Sequence, residues 1–557
     1  MKYTISQSNA DAHITQRLLE VRGFLDDKDD FLDPSREKYR QSPTLLNDIK
    51  IASDRIQKAI KKNEKIFIFG DYDVDGIVSS LVIKMFFTSY IWYSNIEVML
   101  PHRVHDGYGI KDYLIDRMKE QWADLIITVD NGITSVDEVE HAKSVGLDII
   151  ITDHHQALDK IPAPIALINP QVSPDMPFKE ICGASVAFKL CLQLADDIGI
   201  TQETKKTFFN DLLPYVAIAT VCDCMPLVEE NRLIVKKWLS VMNKHRSTLL
   251  PSLRGFLEYL NIDTVDSYHM WFMIWPRLNA TGRIWSAHDG LDCLLCHDPH
   301  KQKKLLEAVD QLNTDRKVTQ EDMITIAQEM ADHEQYILIA AHEEFHEGIV
   351  WIVAGRLTNK HNKPSVVIGI DTEKWIASGS LRWPEYFSVI DMLKTVDDIL
   401  VRYGWHEQAW WLTIDIKNLD ELKTRLEAYC KENITPEQLI KHIYVDTQVY
   451  DHELKTSLFQ DIQILWPYGE KNREPIVLIP DIHIQKNKIL WRGERTHLKL
   501  FGTKSNEEIS IIFWWKWDQI GEYPLDTTCD IIWHIKEDSY NGGRYIHWLH
   551  VIQKQHV

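Results

Sequence analysis

The chain has 557 residues, 82 acidic against 62 basic, for a formal net charge of −20. That length exceeds what one hydrophobic core serves, so about two to four domains are expected, and the acidic surplus excludes a uniformly basic nucleic-acid sheath while leaving local basic grooves open. Met1–Ser6 leads into polar sequence with no apolar core for a signal peptide, no run of eighteen apolar residues follows, and the eight scattered cysteines fit reduced thiols; a cytoplasmic chain with no membrane partner is expected.

Residues 1–47 are polar, carry the acidic run Asp26-Asp27-Lys28-Asp29-Asp30 and lack strong periodicity, which predicts an arm lying on the first domain. Ile49, Ile51, Ile56 and Ile60 then follow a helical pattern. Ile66-Phe67-Ile68-Phe69 reads as a buried strand, and a strand–helix rhythm follows, with strands predicted at 96–100, 125–129, 147–152 and 165–168. Right-handed crossovers collect such strand ends along one edge of a parallel sheet. Cys293-Leu294-Leu295-Cys296-His297 copies the spacing of a covalent haem site, but it sits in a helical pattern and such attachment needs export. The stretch from Lys301 to His333 has no Gly or Pro and fits either one strut of roughly 45–50 Å or two shorter helices. Tyr336–Ala340, Gly348–Arg356 and Ser365–Ile368 open a second, smaller α/β unit. From about 445 onward, short strands at 476–479, 482–484, 497–501 and 509–517, a turn at Lys486-Asn487-Lys488 and a last pair around Asn541-Gly542-Gly543 predict an all-β module.

Chemistry concentrates at the ends of the apolar runs. Phe69 gives way to Gly70-Asp71-Tyr72-Asp73-Val74-Asp75-Gly76, three acids at alternate positions on a strand's carboxyl end, the edge where open α/β sheets bind ligands. Carboxylates so crowded repel one another unless cations neutralise them, the alternative being an ordinary solvated acidic loop. The run 125–129 ends in Asp130-Asn131-Gly132, the run 147–152 in Asp153-His154-His155, and Tyr215–Val221 in Cys222-Asp223-Cys224. Four apolar segments thus each deliver an aspartate to the same kind of boundary. No Walker loop occurs, so coupling to ATP hydrolysis is not indicated.

The ordered set Asp71-Tyr72-Asp73-Val74-Asp75-Gly76, Pro101-His102-Arg103 with Gly107-Tyr108-Gly109, Asp130-Asn131-Gly132, Asp153-His154-His155, Gly183–Lys189 and Arg277-Leu278-Asn279-Ala280-Thr281-Gly282-Arg283 resembles the DHH phosphoesterase superfamily, and within it the single-stranded-DNA-specific 5′ exonucleases. The resemblance implies an α/β fold: a parallel-sheet DHH domain, a long connecting helix, a second smaller α/β DHH-associated domain and a C-terminal all-β OB-like domain. The expected boundaries are an arm over 1–47, then 48–299, 300–333, 334–435 and 445–557.

It further implies a metal-dependent 5′-to-3′ exonuclease that hydrolyses single-stranded DNA to 5′-mononucleotides in DNA repair and recombination. The alternatives are a catalytically weakened DNA-binding scaffold, an oligonucleotide phosphodiesterase and an inorganic pyrophosphatase. Asp73, Asp75, Asp130, His154 and Asp223 are the implied ligands of two divalent cations, Mn²⁺ or Mg²⁺, with Asp130 as bridge. Asp71 would orient a ligand or water, and His155 would face the substrate and donate to a phosphoryl oxygen, direct ligation being its alternative role. Arg103, Arg277, Asn279, Arg283, Ser378, Arg382 and His406 are the candidate nucleic-acid contacts, the arginines because their planar fork matches phosphate. Arg492, Arg495, Lys499 and the tryptophans at 514, 515 and 517 are candidates in the β module, with core packing the competing role for the tryptophans. Single-stranded DNA is the expected partner, with a single-strand-binding protein and a helicase as further candidates. Two segments depart from the family pattern: Ser-Gly-Arg becomes Ser378-Gly379-Ser380-Leu381-Arg382, with the arginine displaced by two positions, and Gly-Gly-His becomes Gly404-Trp405-His406.

Overall fold

The structure, a computed structural model, describes residues 2–103, 105–284, 286–406, 409–455, 457–492, 495–505, 507–513, 525–538 and 543–553. Two compact units emerge, one of Gln41–Met225 and Lys237–Lys441, the other of Met1–Arg40, Pro226–Lys236 and His442–Val557. Among the described residues no helix is long and apolar enough to cross a membrane.

The first unit carries a five-stranded parallel sheet of β1 (Ile66–Phe69), β2 (Ile96–Met99), β3 (Leu125–Val129), β4 (Asp148–Thr152) and β5 (Ala166–Ile168), in the order β2-β1-β3-β4-β5. β1 and β3 are buried at every position. Their sequences are therefore continuous apolar runs, as in any parallel sheet covered on both faces. Helix α1 (Val74–Met85) leaves β1 across the acidic loop and packs on α2 (Gly183–Asp197) and α3 (Gln202–Cys222).

The segment 215–221 is not a sheet strand but the end of α3, a 21-residue helix with Pro214 inside it. A short apolar run does not distinguish strand from buried helix by itself; here the polar residues from Gln202 onward extend the helix. Asp223 consequently stands at a helix C-terminus. Further on come α4 (Trp275–Ile284) and α5 (Pro299–Met330), the latter a single helix of 32 residues, about 48 Å long, with Pro299 in its first turn and the Asp298 carboxylate accepting from the Lys301 N–H.

The second sheet of this unit contains β6 (Leu338–His342), β7 (Ser365–Asp371), β8 (Ile376–Arg382), β9 (Leu400–His406) and β10 (Ala409–Asp415), with α6 (Val350–His361) between β6 and β7. Its order is β9-β10-β8-β7-β6, parallel only at β6–β7.

The other unit holds β11 (Val477–Arg492), β12 (Arg495–Lys504), β13 (Glu507–Phe513), β14 (Thr527–Asp538) and β15 (Gly543–Gln553), hydrogen-bonded in the order β11-β12-β13-β15-β14 with β14 returning to β11. The five strands close into a small barrel, which leaves no free edge among them. No turn forms at 486–488: β11 runs through it with a bulge between Ile484 and Lys486, and Lys488 pairs with Lys499 across the hairpin. The N-terminal segment is also not an arm on the first domain. Lys2–Ile5 pairs in parallel with His442–Val445, and Ile14, Leu18, Leu19 and Phe31 join one core with Ile479, Leu498 and Ile531. Only residues from Gln41 onward belong to the sheet domain, where the Gln41 amide exchanges two hydrogen bonds with the Phe178 backbone. A short helical face, Ile14, Leu18 and Leu19, lies hidden in the polar composition of that arm.

Candidate metal centre

The acidic loop is held by backbone and by neighbours rather than by counter-charges. The Asp73 carboxylate caps α1, accepting from the N–H groups of Asp75 (2.9 Å) and Gly76 (3.1 Å). Asp75 accepts from the first two N–H groups of α2, Gly183 at 2.6 Å and Ala184 at 2.9 Å, so the positive end of a second helix points at the loop. Gly183 permits that approach: a Cβ there would lie 2.8 Å from the Asp130 Cβ and 3.0 Å from the Asp75 Oδ2. Asn279 of α4 accepts from the Val74 N–H at 2.9 Å. A Cβ at Gly282, one turn on, would meet the Tyr72 carbonyl at 2.3 Å.

At the end of β3, Asp130 adopts a left-handed φ of 60°, an unfavourable conformation for a residue with a Cβ, and Asn131 staples the ends of β1 and β3 by donating to the Phe69 and Val129 carbonyls. From the end of β4, His154 reaches the same place. Its Nε2 lies 3.1 Å from Asp130 Oδ1, 3.5 Å from Asp223 Oδ2 and 3.7 Å from Asp75 Oδ2. A second group, Asp71, Asp73 and Asp130, brings its oxygens within 4.8 Å of one another. Asp130 also groups with His154 and His155.

Asp130 Oδ1, His154 Nε2, Asp223 Oδ2 and Asp71 Oδ1 are buried and make no hydrogen bond. Four buried polar atoms without partners carry a desolvation cost that natural structures avoid unless something satisfies them. The electrostatics agree. Burial, and then the neighbouring Asp73, pushes the Asp71 carboxyl up to about 8 and the Asp75 carboxyl up to about 6. Burial with the same crowd of acids holds Asp130 and Asp223 well above the usual carboxylate range. Burial, and then His155, lowers His154 to about 3, so its imidazole is neutral with a lone pair to offer. Ligands of an octahedral ion at about 2.1 Å are roughly 3.0 Å apart, close to the separations around His154. Oxygen and neutral imidazole in this arrangement fit hard or borderline divalent cations.

His155 stands apart from these donors in its charge. Asp153 Oδ1 accepts from the His154 and His155 N–H groups and lies 2.8 Å from His155 Nδ1, while Oδ2 accepts from the Ile133 N–H. Burial works to raise Asp153, but the adjacent His155 outweighs it and holds the carboxyl near 2. Burial opposes charge on His155 in turn; Asp153 overrides it and raises the imidazole to about 10. Asp153 and Tyr108 are site residues that the motifs contained but residue-type reasoning left without a role. Tyr108 Oη lies 3.2 Å from the same His155 Nδ1.

The predicted nucleic-acid residues divide. Arg103 stacks on Tyr72, 4.9 Å from the ring centre. Arg382 lies over Trp351 at 5.5 Å and donates to Ser380 Oγ and the Leu381 carbonyl. Burial, and then the nearby Arg103, lowers the Arg382 guanidinium to about 10. The two-position displacement of this arginine therefore keeps it facing the first domain, because alternate residues of a strand share a face. Ser378 lies 3.5 Å from Thr413 Oγ1, and it is Ser380 that supports the arginine. Arg277 is committed elsewhere: its Nε donates to Asp310 on α5 at 2.8 Å and its Nη1 to the Met273 carbonyl. Asn279 is buried and uses its oxygen on the acidic loop, a positioning role rather than a substrate contact. The side chains of Arg283, His406, Arg492 and Arg495, and the tryptophans at 514, 515 and 517, lie outside the described residues. In the barrel, Lys499 stands over Phe501 at 5.1 Å.

A parallel sheet whose strand ends carry Asp71 to Asp75, Asp130 and Asp153-His154-His155 defines a class, and residues 65–220 match the DHH family, N-terminal domain. Residues 65–220 are thus similar to the N-terminal domain of that family. Residues 445–550 match the RecJ OB domain, and two of the relatives to which the chain is similar carry the same name. It is 33% identical over 489 residues to the single-stranded-DNA-specific exonuclease RecJ of Bacillus subtilis, covering 86% of this chain and 59% of that protein. It is 29% identical to RecJ of Escherichia coli over 82% of this chain and 81% of that one. The fold is that of RecJ from Thermus thermophilus in complex with Mn²⁺, with a TM-score of 0.82 at 22% identity over 100% of this chain and 80% of that chain. A manganese-bound exonuclease RecJ aligns with a TM-score of 0.61 at 27% identity over 71% of this chain and 96% of that one. The chain thus spans about three fifths of the length of the Bacillus relative.

Proposed function

We propose that this chain is a metal-dependent 5′-to-3′ exonuclease of the cytoplasm that hydrolyses single-stranded DNA to 5′-mononucleotides in DNA repair and recombination. The observation that carries the reading is the convergence of six side chains around Asp130 and His154, with four donor atoms, on Asp71, Asp130, His154 and Asp223, left without hydrogen bonds. The exonuclease names of its relatives and the manganese-bound structures among them support the same reading. Asp75, Asp130, His154 and Asp223 would hold one divalent cation and Asp71, Asp73 and Asp130 a second, with Mn²⁺ favoured over Mg²⁺. On this reading Asp71 would be a ligand, where the resemblance implied an orienting group. When bound, such a pair supplies an activated water at neutral pH and shields charge on the phosphoryl oxygens.

The chain's own groups supply the rest. His155, kept protonated by Asp153, donates to a phosphoryl oxygen as charge develops there. Arg103 and Arg382, each on an aromatic face, grip the terminal phosphate from the two domains of the first unit. A single-strand-binding protein and a helicase would supply and clear the strand.

The test is incubation with Mn²⁺ and 5′-labelled single-stranded, double-stranded and dinucleotide substrates, with Asp130→Ala alongside. Stepwise loss of the long single strand alone, abolished by the substitution, supports the reading. Binding without turnover contradicts it.

A further inference from the structure

An aromatic ridge lies next to the acid cluster, on the helical stretch that leads into α4. Tyr268, Trp271, Phe272 and Trp275 recur at i, i+3, i+4 and i+7 and so share one helical face, the spacing at which aromatic residues normally enter a core. The core is served instead by Met270 and Ile274, both 0% exposed, while Tyr268 is 59% exposed and Phe272 56%. The rings form a continuous row: Tyr268 to Phe272 at 4.6 Å, Phe272 to Trp271 at 6.0 Å and Trp271 to Trp275 at 5.3 Å. Met270–Ile274 is a π-helical turn, a form that widens the helix and often marks functional surfaces. It also fixes the ridge against the site. Trp271 Nε1 donates to the Val221 carbonyl at 2.6 Å, and Cys222 Sγ contacts the Met270 carbonyl at 3.7 Å; both partners lie in the last turn of the helix that ends at Asp223.

We propose that Tyr268, Trp271, Phe272 and Trp275 form a stacking platform for the bases of a single-stranded nucleic acid whose backbone lies at the acid cluster. This rests on the proposed nuclease reading and specifies how its substrate is held. Unpaired bases have apolar faces that stack on aromatic rings with little regard to sequence, which suits a surface offering rings and no set of base-edge donors. The indole of Trp271 is on the order of 10 Å from Asp223, within a nucleotide or two of a phosphate at the cations. Duplex DNA keeps its base faces covered and does not fit the ridge.

The experiment uses 5′-phosphorylated oligothymidylate with 2-aminopurine at each of the second to sixth positions in turn, bound to the full chain with Ca²⁺ in place of Mn²⁺. Wild-type protein is expected to change the probe's fluorescence at one to three adjacent positions. Phe272→Ala and Tyr268→Ala, both at exposed side chains, are expected to abolish that change and weaken binding roughly five- to a hundredfold, with Phe272→Trp restoring both. An abasic residue at the responsive position should weaken wild-type binding and leave Phe272→Ala no weaker than before. Unchanged affinity and fluorescence in both alanine variants would overturn the inference alone and assign the ridge to a protein partner. Failure of the wild-type chain to bind the oligonucleotide would overturn the proposed function, and this inference with it.

Discussion

The two faces that meet over the site are built on different rules. On the first domain, carboxylates and an imidazole arrive from β1, β3, β4 and the end of α3, each placed by backbone that has little freedom: a helix cap at Asp73, a helix N-terminus on Asp75, a left-handed residue at Asp130. On the second, Arg382 sits on an antiparallel strand and is steadied by Ser380 and Trp351. A ligand set tolerates little displacement, because donor atoms must meet within a few tenths of an ångström. A phosphate grip on a strand can move two residues along the same face and still reach across, at about 3.4 Å of rise per residue. On the proposed reading, the family's spacing is therefore kept where metal geometry demands it and altered where a long flexible side chain can make up the difference.

If that contrast holds, damage should scale with the rigidity of what is removed. Asp130→Ala takes a donor from both groups, and hydrolysis of single-stranded DNA in a gel assay should fall by at least about a hundredfold; near-normal turnover would show that the two groups do not act together. Arg382→Ala should weaken binding of a 5′-phosphorylated single strand by about ten- to a hundredfold in a fluorescence-anisotropy titration, and Arg382→Lys should recover little of it, because an ammonium offers no planar fork. Cations have to displace protons from Asp71 and Asp75, whose carboxyls are raised to about 8 and about 6. Without cations, those raised values mean the folded state binds more protons than the unfolded one, so its stability falls as pH rises from about 4 through 8. The rise in Tm produced by Mn²⁺ should accordingly be larger at pH 8 than at pH 6; an equal rise at both would mean that these acids are not displaced. Asn279→Ala leaves the Val74 N–H buried without an acceptor and should cost about 1–3 kcal/mol in denaturant unfolding, with no change if water replaces the amide.

Much of this was legible in the sequence for a physical reason. Strands of a covered parallel sheet are continuous apolar runs, so the places where acids interrupt them, after Phe69, Val129 and Thr152, mark the ligand edge directly. The run before Asp223 looked the same but belongs to a helix, since a short, largely apolar run satisfies either geometry. The family resemblance gives Asp71 an orienting role, although its alternation with Asp73 and Asp75 already allows a shared face, and its oxygens lie with those of Asp73 and Asp130. The engagement of Arg277 with Asp310 and of Asn279 with Val74 depends on how α4 packs on α5 and α1, which no local pattern encodes. The N-terminal segment misled for a similar reason: its partner strand is more than 400 residues away.

The most direct measurement is electron paramagnetic resonance of the purified chain titrated with Mn²⁺. Two ions per chain with the exchange-coupled spectrum of a close pair, replaced in Asp130→Ala by an uncoupled signal or by loss of binding, is the expected result. A single isolated ion, or a coupled pair that survives without Asp130, would contradict the account.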